Sequence, residues 1–403
     1  MAEFKPFRAI VYNREHIDIG SVVSPPYDVI TPKEQDLLYQ RSPYNIVRII
    51  LNKEESDEKY RSANRFLKQW LEEGILLMLD KSVFFIYEQE FTVDGNNFTR
   101  RALVGRIRIE EFEKGVILPH EKTLSAPKED RYKLIKATNV QSEPIFGIAI
   151  DDGNIESLTR KALEEVKEPL FEFSDENGVS HKLYHVSEIF YNEIEEAFLD
   201  KKILIADGHH RYETALRIKR EYEREPNYDP QAPYNYILMC VVSSKDRGLI
   251  IQPIYRLITI EKKYIEKLME LAKKIEKLED LNKINYKMLS KNEFIMVIFT
   301  SILYIELNNI KNERTSVQIL HNEIIHNILE ITEEDISSKG VIKYFKKLDE
   351  AIENMKENDL LIVYNPPTPE EISLISEKGK ILPQKSTFFY PKFYSGLFMY
   401  PLW

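Results

Sequence analysis

The sequence predicts a mixed α/β fold, and three stretches carry that expectation. In Ile203-Leu-Ile-Ala-Asp-Gly-His-His-Arg-Tyr-Glu-Thr-Ala-Leu216, an apolar run (Ile203–Ala206) reads as a short buried strand. It passes through the polar turn Asp207–Arg211 into a helical pattern, Glu213–Tyr222. Val83–Val93 and Phe98–Ile109 flank Asp94-Gly95-Asn96 and predict a β-hairpin, because Asp-Gly favours the tight turn that joins twisted strands. Residues 145–200 alternate short strands with amphipathic helices.

Taken in order, Val22-Val-Ser-Pro-Pro-Tyr-Asp-Val-Ile30 is a stiff extended segment, because two prolines fix φ and hold the preceding residues extended. Thr31 is the expected N-cap of the next helix, with Pro32 at its first position. Ile46–Leu51 reads as a strand, and Glu54–Glu73 as a helix ended by Gly74. Asp130-Arg131 is expected to open a helix. Strands are expected at 145–150, 170–174, 181–186 and 236–242, with helices at 155–166 and 187–198. His181 and His185 share one strand face and read as edge or core histidines rather than metal ligands. Residues 259–350 are rich in Ile, Lys, Glu and Asn and poor in motif-like clusters, with Phe294–Thr300 an expected strand. This gives a core over residues 1–258 and a smaller α/β region over 259–403, whose apolar tail packs back on the core.

The chain of 403 residues carries a net charge of −10, with acids and bases interspersed, so a general nucleic-acid binder is not expected. No apolar run is long enough to span a bilayer, and the first eight residues lack the apolar core of a signal peptide. The single cysteine, Cys240, lies in an apolar strand and suits a reducing cytoplasm.

Candidate chemistry sits in three places. A strand, a glycine turn and a helix aim free N–H groups and the positive end of a helix dipole at an anion, so Gly208, His209, His210 and Arg211 are candidate phosphate ligands. Leu118-Pro-His-Glu-Lys-Thr123 groups His120, Glu121 and Lys122 more densely than a helix cap requires. Lys122 and Arg131 would add positive charge, and Glu121 or Asp207 would serve as general base or hold Mg2+ through oxygen. His120 and His209 are acid–base candidates near neutral pH. Tyr27 and Asp28, presented from the Pro-Pro segment, would border a substrate. The alternative is structural: a β–α turn with a capping aspartate and surface histidines.

Ser24-Pro-Pro-Tyr-Asp-Val-Ile30, Leu118-Pro-His-Glu-Lys-Thr123, Asp130-Arg131 and Ala206-Asp-Gly-His-His-Arg-Tyr-Glu-Thr-Ala215 together resemble a large bacterial and archaeal family of unassigned function, of the domain of unknown function 1015 type. The chain departs from it at Tyr255, where a histidine is expected. More remotely, Asp207–Arg211 is similar to the phosphate-binding box of the ParB/sulfiredoxin superfamily, which includes CTP-hydrolysing partition proteins, ATP-using sulfiredoxins and kinases of free serine. Sulfiredoxin chemistry needs a cysteine in the glycine turn, which this chain lacks. The resemblance implies a ParB/sulfiredoxin-like nucleotide-binding core elaborated by further sheets and helices. It also implies a phosphotransferase using ATP or ADP with Mg2+ on a small metabolite hydroxyl such as free serine. The alternatives are a nucleotide-binding or nucleotide-hydrolysing regulator and a phosphohydrolase.

Overall fold

The computed structural model describes residues 1–123, 125–278, 284–298, 301–308, 314–338 and 340–403, without the side chains of 125, 126, 337 and 338. The chain forms two units, Met1–Leu249 with Pro391–Trp403, and Ile250–Tyr390. The fold is mixed α/β throughout.

The first unit is built on a nine-stranded sheet. Its strands are β1 (Phe4–Lys5), β2 (Phe85–Val93), β3 (Asn96–Arg108), β4 (Ile117–Leu118), β5 (Ile145–Ile150), β6 (Phe171–Ser174), β7 (Ser180–His185), β8 (Lys202–Asp207) and β9 (Tyr236–Ser243). They lie in the order β4-β8-β5-β9-β3-β2-β7-β6, with β1 beside β3. The pairs β4–β8 and β5–β9 are parallel and the rest antiparallel. The β2–β3 hairpin turns through Asp94 and Gly95, both at positive φ, which suits Asp-Gly. Its longer helices are α1 (Pro32–Arg41), α2 (Glu58–Glu72), α3 (Ser125–Thr138), α4 (Asn154–Glu164), α5 (Tyr191–Phe198) and α6 (His209–Tyr222). Thr31 and Glu34 close a reciprocal capping box at α1, and Gly74 follows α2 at φ +71°. One apolar core packs Ile203 and Ile205 of β8, Met239 and Val241 of β9, and Tyr212 and Leu216 of α6.

The second unit holds a six-stranded antiparallel sheet of β10 (Tyr255–Thr259), β11 (Lys274–Lys277), β12 (Glu293–Ile298), β13 (Ser301–Glu306), β14 (Ile342–Phe345) and β15 (Asp359–Val363), in the order β11-β13-β12-β15-β10-β14. Alternate residues of β12 enter two different cores: Phe294 and Met296 one, Ile295 and Val297 the other. That burial on both faces explains why β12 reads as an unbroken apolar run. The last two residues of the expected strand 294–300 lie outside the described residues.

Three local expectations are corrected. Residues 46–51 are not a strand; Val47–Ile50 is a short helix whose start is held by the Asn45 carboxamide, which accepts from the Val47 N–H at 3.0 Å. A short apolar run carries no period that separates buried helix from buried strand. Asp130 and Arg131 lie inside α3, which begins at Ser125. Most consequentially, α6 begins at His209, four residues before the expected start. The polar turn thus shrinks to Gly208, and His209-His210-Arg211 become the first turn of the helix. No helix among the described residues is long and apolar enough to cross a membrane.

Candidate functional site

The parallel pairing of β4 with β8 matches Leu118 to Leu204, so the chain leaves β4 at the same end of the sheet where β8 delivers Asp207. That register brings the 118–123 loop to the start of α6. The loop is then fastened there: Thr123 Oγ1 donates to Glu213 at 2.8 Å, and Lys128 Nζ donates to Glu213 at 2.7 Å. His120 and His209 meet edge to face with ring centres 4.6 Å apart.

Hydrogen bonds fix their tautomers. His120 Nδ1 lies 2.7 Å from the Ile205 carbonyl, which only accepts, so the proton sits on Nδ1. The His120 backbone N–H donates to His209 Nε2 at 3.3 Å, so a neutral His209 carries its proton on Nδ1. Burial lowers the His120 pKa to about 4. Burial, then the neighbouring His120, drive His209 well below its ordinary value. Both rings are therefore neutral at physiological pH. An acid–base role for either ring would start from the neutral imidazole, which burial makes a weaker base. His209 Nδ1–H offers a neutral donor, which makes no hydrogen bond among the described residues.

Gly208 adopts φ +95°, which favours glycine, and a Cβ there would stand 3.1 Å from the Arg211 guanidinium. Glycine supplies no capping side chain, and the N–H groups of Gly208, His209 and Arg211 find no acceptor among the described residues. These are the orphan donors of a helix start, at the positive end of a 14-residue helix.

The charges around this turn are largely committed to one another. Arg211, 8% exposed, donates to Asp207 at 2.7 Å and to the Pro144 carbonyl. Lys392 pairs with the other Asp207 oxygen. Burial pushes the Asp207 carboxyl up, but the Lys392 and Arg211 charges outweigh it and hold it well below the usual carboxylate range. Arg131, buried, donates to Glu143 at 3.0 Å and to Asp130, and lies 3.8 Å from the centre of the Tyr27 ring. Lys59 donates to Asp130 at 2.6 Å. Against the opposing effect of burial, Arg131 and Lys59 lower the Asp130 pKa to about 2. The Tyr27 N–H donates to Glu143 at 3.0 Å, and Ser24 and Ser395 exchange backbone hydrogen bonds, so the Pro-Pro segment is pinned beside the same cluster. A cavity of about 20 Å³ beside Arg131, Glu143 and Arg211 has room for one water and no more.

The structure thus brings His120, His209, Asp207, Gly208, Arg211, Arg131 and Tyr27 into one region. Asp28 is exposed at its edge, close enough to bear on the Arg211 charge. Glu121 and His210 are half-buried, and Lys122 is exposed. The donor set also answers the Mg2+ expectation. Asp207 does not fit, since an ion there would share the carboxylate with two cations. Glu121 fits as a lone carboxylate, because Mg2+ is commonly held by one or two carboxylates plus phosphate oxygens. Sequence reasoning gave no role to Lys392 or Glu143. Glu143 had a signal: a carboxylate in Gln141-Ser-Glu-Pro144, directly before an apolar strand, must find a cation once buried. Lys392 had none, because 185 residues separate it from Asp207.

Solved structures resembling the chain include a conserved hypothetical protein from Pyrococcus furiosus (14% identity, covering 69% of this chain and 90% of that one, TM-score 0.35). A free serine kinase in complex with AMP matches at 15% identity over 69% of this chain and 86% of that one, TM-score 0.36. SbnI with a C-terminal truncation, from Staphylococcus aureus, matches at 12% identity over 72% and 84%, TM-score 0.38. Likeness at these TM-scores carries no argument about chemistry. No curated protein matches the chain. Residues 4–362 match the family model described as protein of unknown function (DUF1015), spanning most of the chain, and the protein belongs to that family.

Proposed function

We propose that the protein is a nucleotide-dependent phosphotransferase, with the phosphates of ATP or ADP seated on the first turn of α6 and a small metabolite hydroxyl, such as that of free serine, as the acceptor. One observation carries the reading. The N–H groups of Gly208, His209 and Arg211 lack protein acceptors among the described residues and sit at the positive helix end beside the His209 Nδ1–H donor. Such a set of neutral and dipolar donors holds an anion without reorganising. Lys122, exposed on the adjoining loop, supplies the mobile charge for the outer phosphates.

In this reading Arg211 and Lys392 act mainly through Asp207. They fix the end of β8 and hence the aim of the turn. His120 orients His209 through its backbone N–H. Glu121 is the carboxylate left for either of two tasks, base for the acceptor hydroxyl or ligand of Mg2+, which when bound neutralises charge on the phosphates. One residue cannot do both at once, and this favours a second reading in which the nucleotide is bound as a regulatory ligand without transfer. Incubating the protein with Mg2+ and ATP, ADP or CTP, with and without serine, and following phosphorus by NMR separates them. Phosphoserine appearing only with the full mixture supports transfer. Saturable binding without turnover supports the regulator. No binding of any nucleotide removes both.

A further inference from the structure

The second unit carries a cluster of a different kind. His321, His326 and Glu333 each place a ligand atom within 4.8 Å of the others. His321 is 2% exposed, while the side chains of His326 and Glu333 are 27% and 58% exposed. The two histidines come together because residues Leu320–Ile328 form a π-helix. Hydrogen bonds running from i to i+5 stack side chains five apart on one face. In an α-helix the same pair would diverge by about 140°. Single stretches of π-helix inside helical segments are frequent at functional sites.

The hydrogen bonds leave an electrostatic problem. His326 Nδ1 lies 2.5 Å from the Ile331 carbonyl, so that nitrogen carries the proton and Nε2 presents its lone pair. Nε2 faces Glu333 Oε1 at 3.3 Å. Two acceptors at that distance need a positive charge between them. A proton would satisfy the pair alone. A metal ion also accounts for the third donor, His321. The spacing of the His326–Glu333 pair fits: bonds of about 2.0–2.1 Å in a tetrahedral site put neighbouring ligand atoms about 3.3–3.4 Å apart. The Nδ1–H to carbonyl bond is the orienting contact that metal-binding histidines commonly make.

We infer that His321, His326 and Glu333 form a binding site for a divalent transition ion of the Zn2+ type, with two imidazoles and one carboxylate as ligands. The exposed side of His326 and Glu333 gives the ion its entry and leaves a fourth position for water. This site is independent of the function proposed above.

The test is to titrate Zn2+ into the tag-free full-length protein against a chromophoric chelator, with Co2+ absorption reporting geometry. We expect one tight equivalent and Co2+ bands of tetrahedral type. Glu333→Gln and His326→Ala, both at accessible positions, should each weaken binding by more than about 100-fold, beyond what an outer-shell loss costs. Circular dichroism verifies that both variants stay folded. No stoichiometric Zn2+ in the folded wild type, or undiminished binding in both variants, overturns the inference.

Discussion

Two carboxylate clusters, one in each unit, are partnered in opposite ways. Around α6 the carboxylates face cations: Asp207 meets Arg211 and Lys392, Glu143 meets Arg131, and Asp130 meets Arg131 and Lys59. At the end of the π-helix, Glu333 faces an imidazole lone pair. The first arrangement is electrostatically closed and positions a turn. The second is open and asks for a cation. Motif density draws attention to the first unit alone, whereas the His321, His326 and Glu333 cluster lies in a stretch with no such motif.

The sharpest way to break that contrast is to remove one closed charge. Asp207→Asn removes the carboxylate that Arg211 and Lys392 share and should cost about 3–5 kcal/mol, read from the urea midpoint. A loss under about 1 kcal/mol would mean that the network is not closed in solution. Acid comes next. The folded pKa of His120 is about 4 against 6.5 ordinarily, so the unfolded chain takes the proton first. Stability is complete above pH 6.5 and falls by roughly 3 kcal/mol as the pH drops to 4. His120→Gln should flatten that part of the pH–stability curve.

Gly208→Ala forces an alanine to positive φ and against the Arg211 guanidinium, a cost of about 1–3 kcal/mol, with weaker nucleotide binding measured by calorimetry. Smallest of all, Glu333→Gln in metal-free protein should shift stability by no more than about 0.5 kcal/mol, because nothing positive is lost. A large destabilisation there would show that a proton already fills the gap.

Much of this was legible in the sequence. The Asp94-Gly95 hairpin, the Thr31-Pro32 helix start and the strand from Ile203 follow from local chemistry, which needs no partner. The start of α6 was misplaced because His209-His210-Arg211 resemble a loop by composition, while the glycine before them frees the chain to enter the helix at once. Lys392 closes its pair across the whole unit, and spacing cannot announce such a contact. The His321–His326 pair escaped notice for a conformational reason: five residues apart is the wrong spacing for an α-helix, and becomes a shared face only when the helix widens.

The most direct test of the account is the amide spectrum of nitrogen-15-labelled protein during an ADP titration with Mg2+. The account predicts saturable shifts centred on the Gly208, His209 and Arg211 N–H resonances, which Gly208→Ala diminishes. ADP binding that leaves those three resonances unmoved would contradict it.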